Sequence, residues 1–182
     1  MKTNNFTPKS IIKYVEEIIG ENLHAKQVES IANAAVGVIK AVDSKIHNIG
    51  HGLAAALDKE SKHAIKQIDR YLSHELIDME AFFESWITYQ VGGLKEIVVA
   101  IDWTAFEQDK QSTITIHMMS RHSRAMPFVW KSVEKETLKE KRNDDEDDVL
   151  RLLKDHLGKD VTVTVLADRG CADTKLMEYL QA

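Results

Sequence analysis

The chain has 182 residues, of which 43% are hydrophobic and 29% are charged, as in an ordinary globular protein. The formal net charge of −5 excludes a uniformly basic coat protein for nucleic acid, although a local basic face can still bind DNA. A single cysteine, Cys171, excludes an internal disulfide framework, and no apolar run is long enough to span a membrane. We expect a cytoplasmic, non-membrane protein with one large domain or two small ones.

Apolar residues recur with a helical period through residues 1–92, which predicts an N-terminal helical domain. Thr7 followed by Pro8 is typical of a helix start, and Gly20 is a plausible end for that helix. Asp78 is expected to cap a later helix. Between these points, three further helices are predicted over about 25–42, 45–57 and 62–74.

After the Gly92-Gly93 pair the apolar period changes, and residues 93–182 are expected to form a second domain. Ile97–Ile101 is continuously apolar, which is typical of a strand covered on both faces, and Asp102 then lies at its tip. Polar and apolar residues alternate over 113–116, which is typical of a strand with one solvent-exposed face. Two more strands are predicted, over 125–130 and 161–166.

The acidic block 144–148 precedes an apolar helical stretch around Leu152. We expect the block to lie in a solvated loop and to favour the N-terminus of that helix through the helix dipole. A final short helix is predicted after Asp173.

Asp102 and Asp168 each follow an apolar strand. A right-handed crossover through the intervening helix would place the last strand parallel to the first, about 4.8 Å away. Both carboxylates would then lie at the carboxyl edge of the sheet, where open α/β sheets usually bind ligands. Two adjacent carboxylates repel each other unless a cation lies between them, and Mg²⁺ prefers such oxygen ligands. Either aspartate, taken alone, can also be an ordinary cap or loop acid.

Three cations recur at i, i+4 and i+8 on one predicted helix, namely Lys62, Lys66 and Arg70, and His63 and Gln67 flank them. A preceding helix and a short turn complete a helix-turn-helix pattern, in which the cations contact phosphates and Gln67 reads a base edge. A basic helix face of this kind can equally be a solvated surface. Gly50 and Gly52 are expected to weaken the first helix of the pair.

Three segments, "AIDWTAF", "SRAMPFVW" and "VTVLADRGCADTKL", resemble the catalytic domain of bacterial insertion-sequence transposases with an Asp-Asp-Glu triad. A fourth, "SKHAIKQIDRYLS", resembles the N-terminal DNA-binding region of that family. The resemblance implies a helical bundle followed by a ribonuclease-H-like mixed sheet with flanking helices, an α+β chain with an α/β second half.

The resemblance also implies the chemistry. Asp102 and Asp168 correspond to the first two catalytic aspartates, which would bind Mg²⁺ or Mn²⁺ for two-metal phosphoryl transfer on double-stranded DNA, both element ends and target DNA. Arg169 would contact phosphate, although it can equally be a surface salt-bridge residue.

The third acid of the family is a glutamate within a tyrosine–arginine–glutamate–lysine signature, which no segment of this chain matches. Glu178 lies too near Asp168 to take that role. We therefore expect an incomplete catalytic domain that is inactive alone, and an exposed edge on the last strand that favours self-association or a homodimer. Two alternatives stay open: a non-catalytic DNA-binding remnant that competes with the full-length enzyme, and an unrelated metal-dependent phosphohydrolase.

Overall fold

The computed structural model describes residues 7–73, 77–120 and 124–168, with no account of the side chains of residues 139 and 140. The predicted last helix, Arg169, Cys171 and Glu178 lie outside these residues. Backbone contacts divide the chain into two compact units, Met1–Ser85 and Trp86–Ala182. No helix among the described residues is both long and apolar enough to cross a lipid bilayer.

The first unit is built from helices, as the apolar period predicts. Its helices are α1 (Pro8–Ile19), α2 (Ala25–Ala41), α3 (Ile46–Leu57), α4 (Ser61–Leu72) and the first part of α5 (Met79–Val91). The predicted start and end signals are confirmed. Thr7 caps α1 by accepting a hydrogen bond from the Ser10 amide, Gly20 ends α1, and Asp78 accepts one from the Ala81 amide at 3.0 Å.

The two glycines of α3 lie where neighbouring helices approach closely, and both are buried. A Cβ atom at Gly50 would lie 2.5 Å from the Ile65 Cγ1 atom and 2.6 Å from the Ile65 Cα atom of α4. A Cβ atom at Gly52 would collide with the Gly37 carbonyl oxygen of α2. The local cost of glycine in a helix is therefore offset by close packing of α3 against α2 and α4.

The variant Gly50→Ala tests this packing. Although alanine favours the helix by about 1 kcal/mol, the clash with the Ile65 backbone should outweigh it and lower the free energy of unfolding by about 1–2 kcal/mol net. His51→Ala is the matched control, because His51 is the exposed neighbour on the same helix. Urea unfolding of both variants measures the effect, and a more stable Gly50→Ala protein would contradict the close approach.

The second unit contains a four-stranded mixed sheet. In chain order its elements are β1 (Glu96–Phe106), β2 (Gln111–Met119), β3 (Ala125–Glu134), α6 (Leu138–His156) and β4 (Thr162–Ala167). The strand order is β3-β2-β1-β4. The predicted return of the last strand is confirmed, since β4 pairs parallel with β1 whereas the other pairs are antiparallel.

Two expectations for β1 are wrong. Its side chains alternate between buried Ile97, Val99 and Ile101 and a partly open face on which Val98 is 39% exposed. Within the part of the chain that the structure describes, the strand is therefore not covered on both faces. The strand also continues past Asp102 to Phe106, because the antiparallel ladder with β2 runs on after β4 has ended. Asp102 thus lies within β1, at the point where the parallel ladder stops.

The expectation of a solvated acidic loop is also wrong, because the block 144–148 lies in the middle of α6. Asp145 and Glu146 are only 5% and 2% exposed. The Asp145 carboxylate pairs with the Lys131 ammonium of β3. The Glu146 carboxylate accepts hydrogen bonds from the Trp103 indole of β1 and from Arg142, one turn earlier on α6. That pairing makes it feasible to bury two acids within the helix.

Candidate functional site

The two predicted catalytic aspartates each directly follow the last pair of the parallel ladder between β1 and β4. The pairing ends at Ile101 with Ala167, and a continuation of the same register by one residue would set Asp102 beside Asp168. Both residues are exposed. Asp102 alternates along β1 with Trp103, whose side chain meets α6, so Asp102 lies on the opposite face of the sheet.

This arrangement suits a hard divalent cation. Two exposed carboxylates at neighbouring positions supply only oxygen donors, and Mg²⁺ is commonly held by one or two carboxylates while it keeps several waters. Among the described residues, no group of three or more histidine, cysteine or acidic side chains is placed to hold a metal ion. Any metal site on the predicted aspartates would therefore have only the two carboxylates of Asp102 and Asp168 as described acidic ligands.

The residue after Asp102 anchors this part of β1 to α6. The Trp103 indole Nε1 donates a hydrogen bond to the Glu146 Oε1 atom at 2.8 Å. The Arg142 Nε atom donates to the same oxygen at 3.2 Å, and its guanidinium lies 5.6 Å from the centre of the Trp103 ring. Because Glu146 is buried, these donors satisfy a carboxylate that water cannot reach, and they hold the strand at the aspartate.

A second ionic cluster joins β3 to α6. The Lys131 ammonium lies 2.7 Å from an oxygen of Asp145 and 2.7 Å from one of Asp148, and Arg151 lies 3.2 Å from Asp148. The hydrogen bond from Lys131 lowers the pKa of Asp148 against the opposing effect of burial. Burial alone would lower the pKa of Lys131, but its hydrogen bonds to the two carboxylates outweigh this and raise it.

This cluster predicts how stability depends on pH. Since the folded-state pKa of Asp148 lies below its usual value of 3.8, the ionised form stabilises the fold above that pH. The contribution is lost as the pH falls through the folded-state pKa. We expect Asp148→Asn to lower the free energy of unfolding near neutral pH, with the difference from the natural chain vanishing in acid.

Urea unfolding over a series of pH values measures this difference. Asp155→Asn on the same helix is the control, because that exposed side chain makes no ion pair with another described residue. A deficit for Asp148→Asn that stays constant from neutral pH into strong acid would contradict the assigned pairing.

The predicted helix-turn-helix pair corresponds to α3 and α4. Lys62, Lys66 and Arg70 are all exposed on α4, whereas Ala64 and Ile68 are buried on its inner side. Among the described residues, none of the three cations makes an ion pair. The predicted basic face is therefore present and accessible on this helix.

Part of this face lines a groove of about 750 Å³ that also involves α2. The α4 residues that line it are His63, Lys66, Gln67, Arg70 and Tyr71. The other lining residues are His24, Lys26, Gln27, Ser30 and Ile77. Lys62 is not on the wall. Sequence reasoning missed the α2 residues because nothing in their local pattern indicates which helix they face.

Compared with protein-family models, with curated proteins and with solved structures, the chain matches none of them.

Proposed function

We propose that this chain is a DNA transposase of the insertion-sequence, Asp-Asp-Glu type, which binds the terminal repeats of its element in the cytoplasm. It would take part in Mg²⁺- or Mn²⁺-dependent strand cleavage and joining, but would be inactive alone because no segment matches the signature of the third acid. The observation that carries the proposal is the parallel register of β1 and β4, whose continuation by one residue would set Asp102 beside Asp168. The strand order β3-β2-β1-β4 agrees with the ribonuclease-H-like fold that the sequence resemblance implies. The same resemblance supports the choice of DNA over other phosphate esters.

Phosphoryl transfer defines what the two aspartates would do. Their carboxylates would hold the divalent cation and orient it towards a DNA phosphate. When bound, the cation supplies charge stabilisation for the attacking and leaving oxygens of an in-line displacement. The anchored Trp103 would keep Asp102 at a fixed position on the sheet while DNA binds.

A non-catalytic role in DNA binding is the second candidate. The basic helix α4 belongs to the first unit and the aspartate pair to the second. DNA binding by α4 therefore does not require the aspartates, and this chain could occupy terminal repeats in competition with a full-length enzyme. Self-association through the edge strand β4 would add to such competition.

Metal binding tests the aspartate pair directly. We expect Mn²⁺, followed by its electron paramagnetic resonance signal, to bind the natural chain, and binding to weaken at least tenfold in Asp102→Asn and in Asp168→Asn because each loses a ligand charge. Asp109→Asn, an exposed acid in the turn between β1 and β2, is the control. Equal binding by the control and by both site variants would contradict the pair.

DNA binding tests the basic face. Fluorescence anisotropy with duplexes from the flanks of the gene should show binding that weakens with salt. Lys66→Ala and Arg70→Ala should each weaken it by roughly tenfold and lower the salt slope by about one, since each removes a phosphate contact. Lys13→Ala is the control, because Lys13 is on α1 and makes only an exposed pair with Glu17. Failure of the natural chain to bind any duplex at low salt would overturn the proposed function.

A further inference from the structure

The groove between α2 and α4 brings together cations that are far apart in the sequence. Lys26 lies in the first turn of α2, and Lys66 and Arg70 lie along α4. All three are exposed residues on the groove wall. The fold, and not the local pattern, therefore creates a positive groove with contributions from two helices.

These charges lack a counterion in the described part of the protein. No ion pair joins Lys26, Lys66 or Arg70 to another described residue, and this includes the acids Glu29 and Asp69 of the same helices. The N-cap residue of α2, His24, also lines the groove, so the helix dipole of α2 adds a partial positive charge there. An anion in the groove would supply these charges with a counterion.

Two backbone amides at the start of α2 already donate to side chains, so we assign anion binding to the side chains of the groove. The His24 Nδ1 atom accepts a hydrogen bond from the Lys26 amide at 3.2 Å, and the Gln27 Oε1 atom accepts one from the His24 amide at 3.2 Å. The Ser30 hydroxyl donates to the Lys26 carbonyl at 2.8 Å. These contacts fix the main chain at Lys26 and leave its ammonium to reach the groove.

The pattern of charge favours a polymer over a small anion. Lys62 lies one turn before Lys66 on the same face of α4 but outside the groove. The row of cations therefore leaves the groove and continues along the helix. A phosphodiester chain can contact such a row at several phosphates, whereas a small phosphate would occupy one position.

We infer that the groove seats a backbone phosphate of duplex DNA, which Lys26 of α2 binds together with Lys66 and Arg70 of α4. This inference rests on the proposed DNA-binding function and adds a second helix to its interface. The contact is to phosphate, so Lys26 contributes equally to binding of all sequences and fixes the position of α4 on the duplex.

The test is anisotropy of a labelled duplex over a range of salt with the variant Lys26→Ala. We expect binding to weaken by roughly tenfold on every sequence and the salt slope to fall by about one, with Lys26→Arg close to the natural chain. Lys40→Ala is the matched control, because Lys40 is in the last turn of α2 and not on the groove wall. Circular dichroism melts show whether each variant is folded.

The outcomes separate this inference from the proposed function. If the natural chain binds DNA and Lys26→Ala binds as well as Lys40→Ala does, the inference is overturned while the α4 interface stands. If inorganic phosphate displaces the duplex at constant ionic strength, the groove is a small-anion site and the inference is also overturned. If the natural chain does not bind DNA at all, the proposed function is overturned, and the inference that rests on it is overturned as well.

Discussion

The parallel ladder between β1 and β4 is the constraint on which the candidate catalytic site depends. It joins segments separated by two strands and a helix, and it pairs Ile101 with Ala167, the residues directly before Asp102 and Asp168. Side chains alternate with a period of two along a strand, so a slip of one residue would move Asp168 to the other face of the sheet. The candidate site therefore forms only in this register.

The ionic contacts of α6 support that ladder, because α6 is the crossover that delivers β4. Its buried Glu146 binds Trp103 of β1, and its Asp145 binds Lys131 of β3. Burying charges carries a desolvation cost, and such pairs add less stability than their geometry suggests. Their effect here is positional, since they attach the helix to two strands at defined points.

Local signals in the sequence predicted much of the fold. The caps at Thr7 and Asp78 act within a few residues, and chain connectivity alone implied the parallel return of β4. What could not be predicted depends on distant partners. The length of β1 is set by its ladder with β2. The burial of Asp145 and Glu146 depends on Lys131 and Trp103. The position of Lys26 beside α4 depends on the packing of α2 on α4.

The register between β1 and β4 is the most direct subject for measurement. Nuclear Overhauser contacts between backbone protons of an isotopically labelled chain report which residues of neighbouring strands are opposite each other. The structure predicts contacts that join Val99 with Val165 and Ile101 with Ala167. The proposed site predicts further contacts between the next residues, Asp102 and Asp168. A ladder shifted by one residue, or an antiparallel pairing of β4, would separate the two carboxylates and contradict the proposed site.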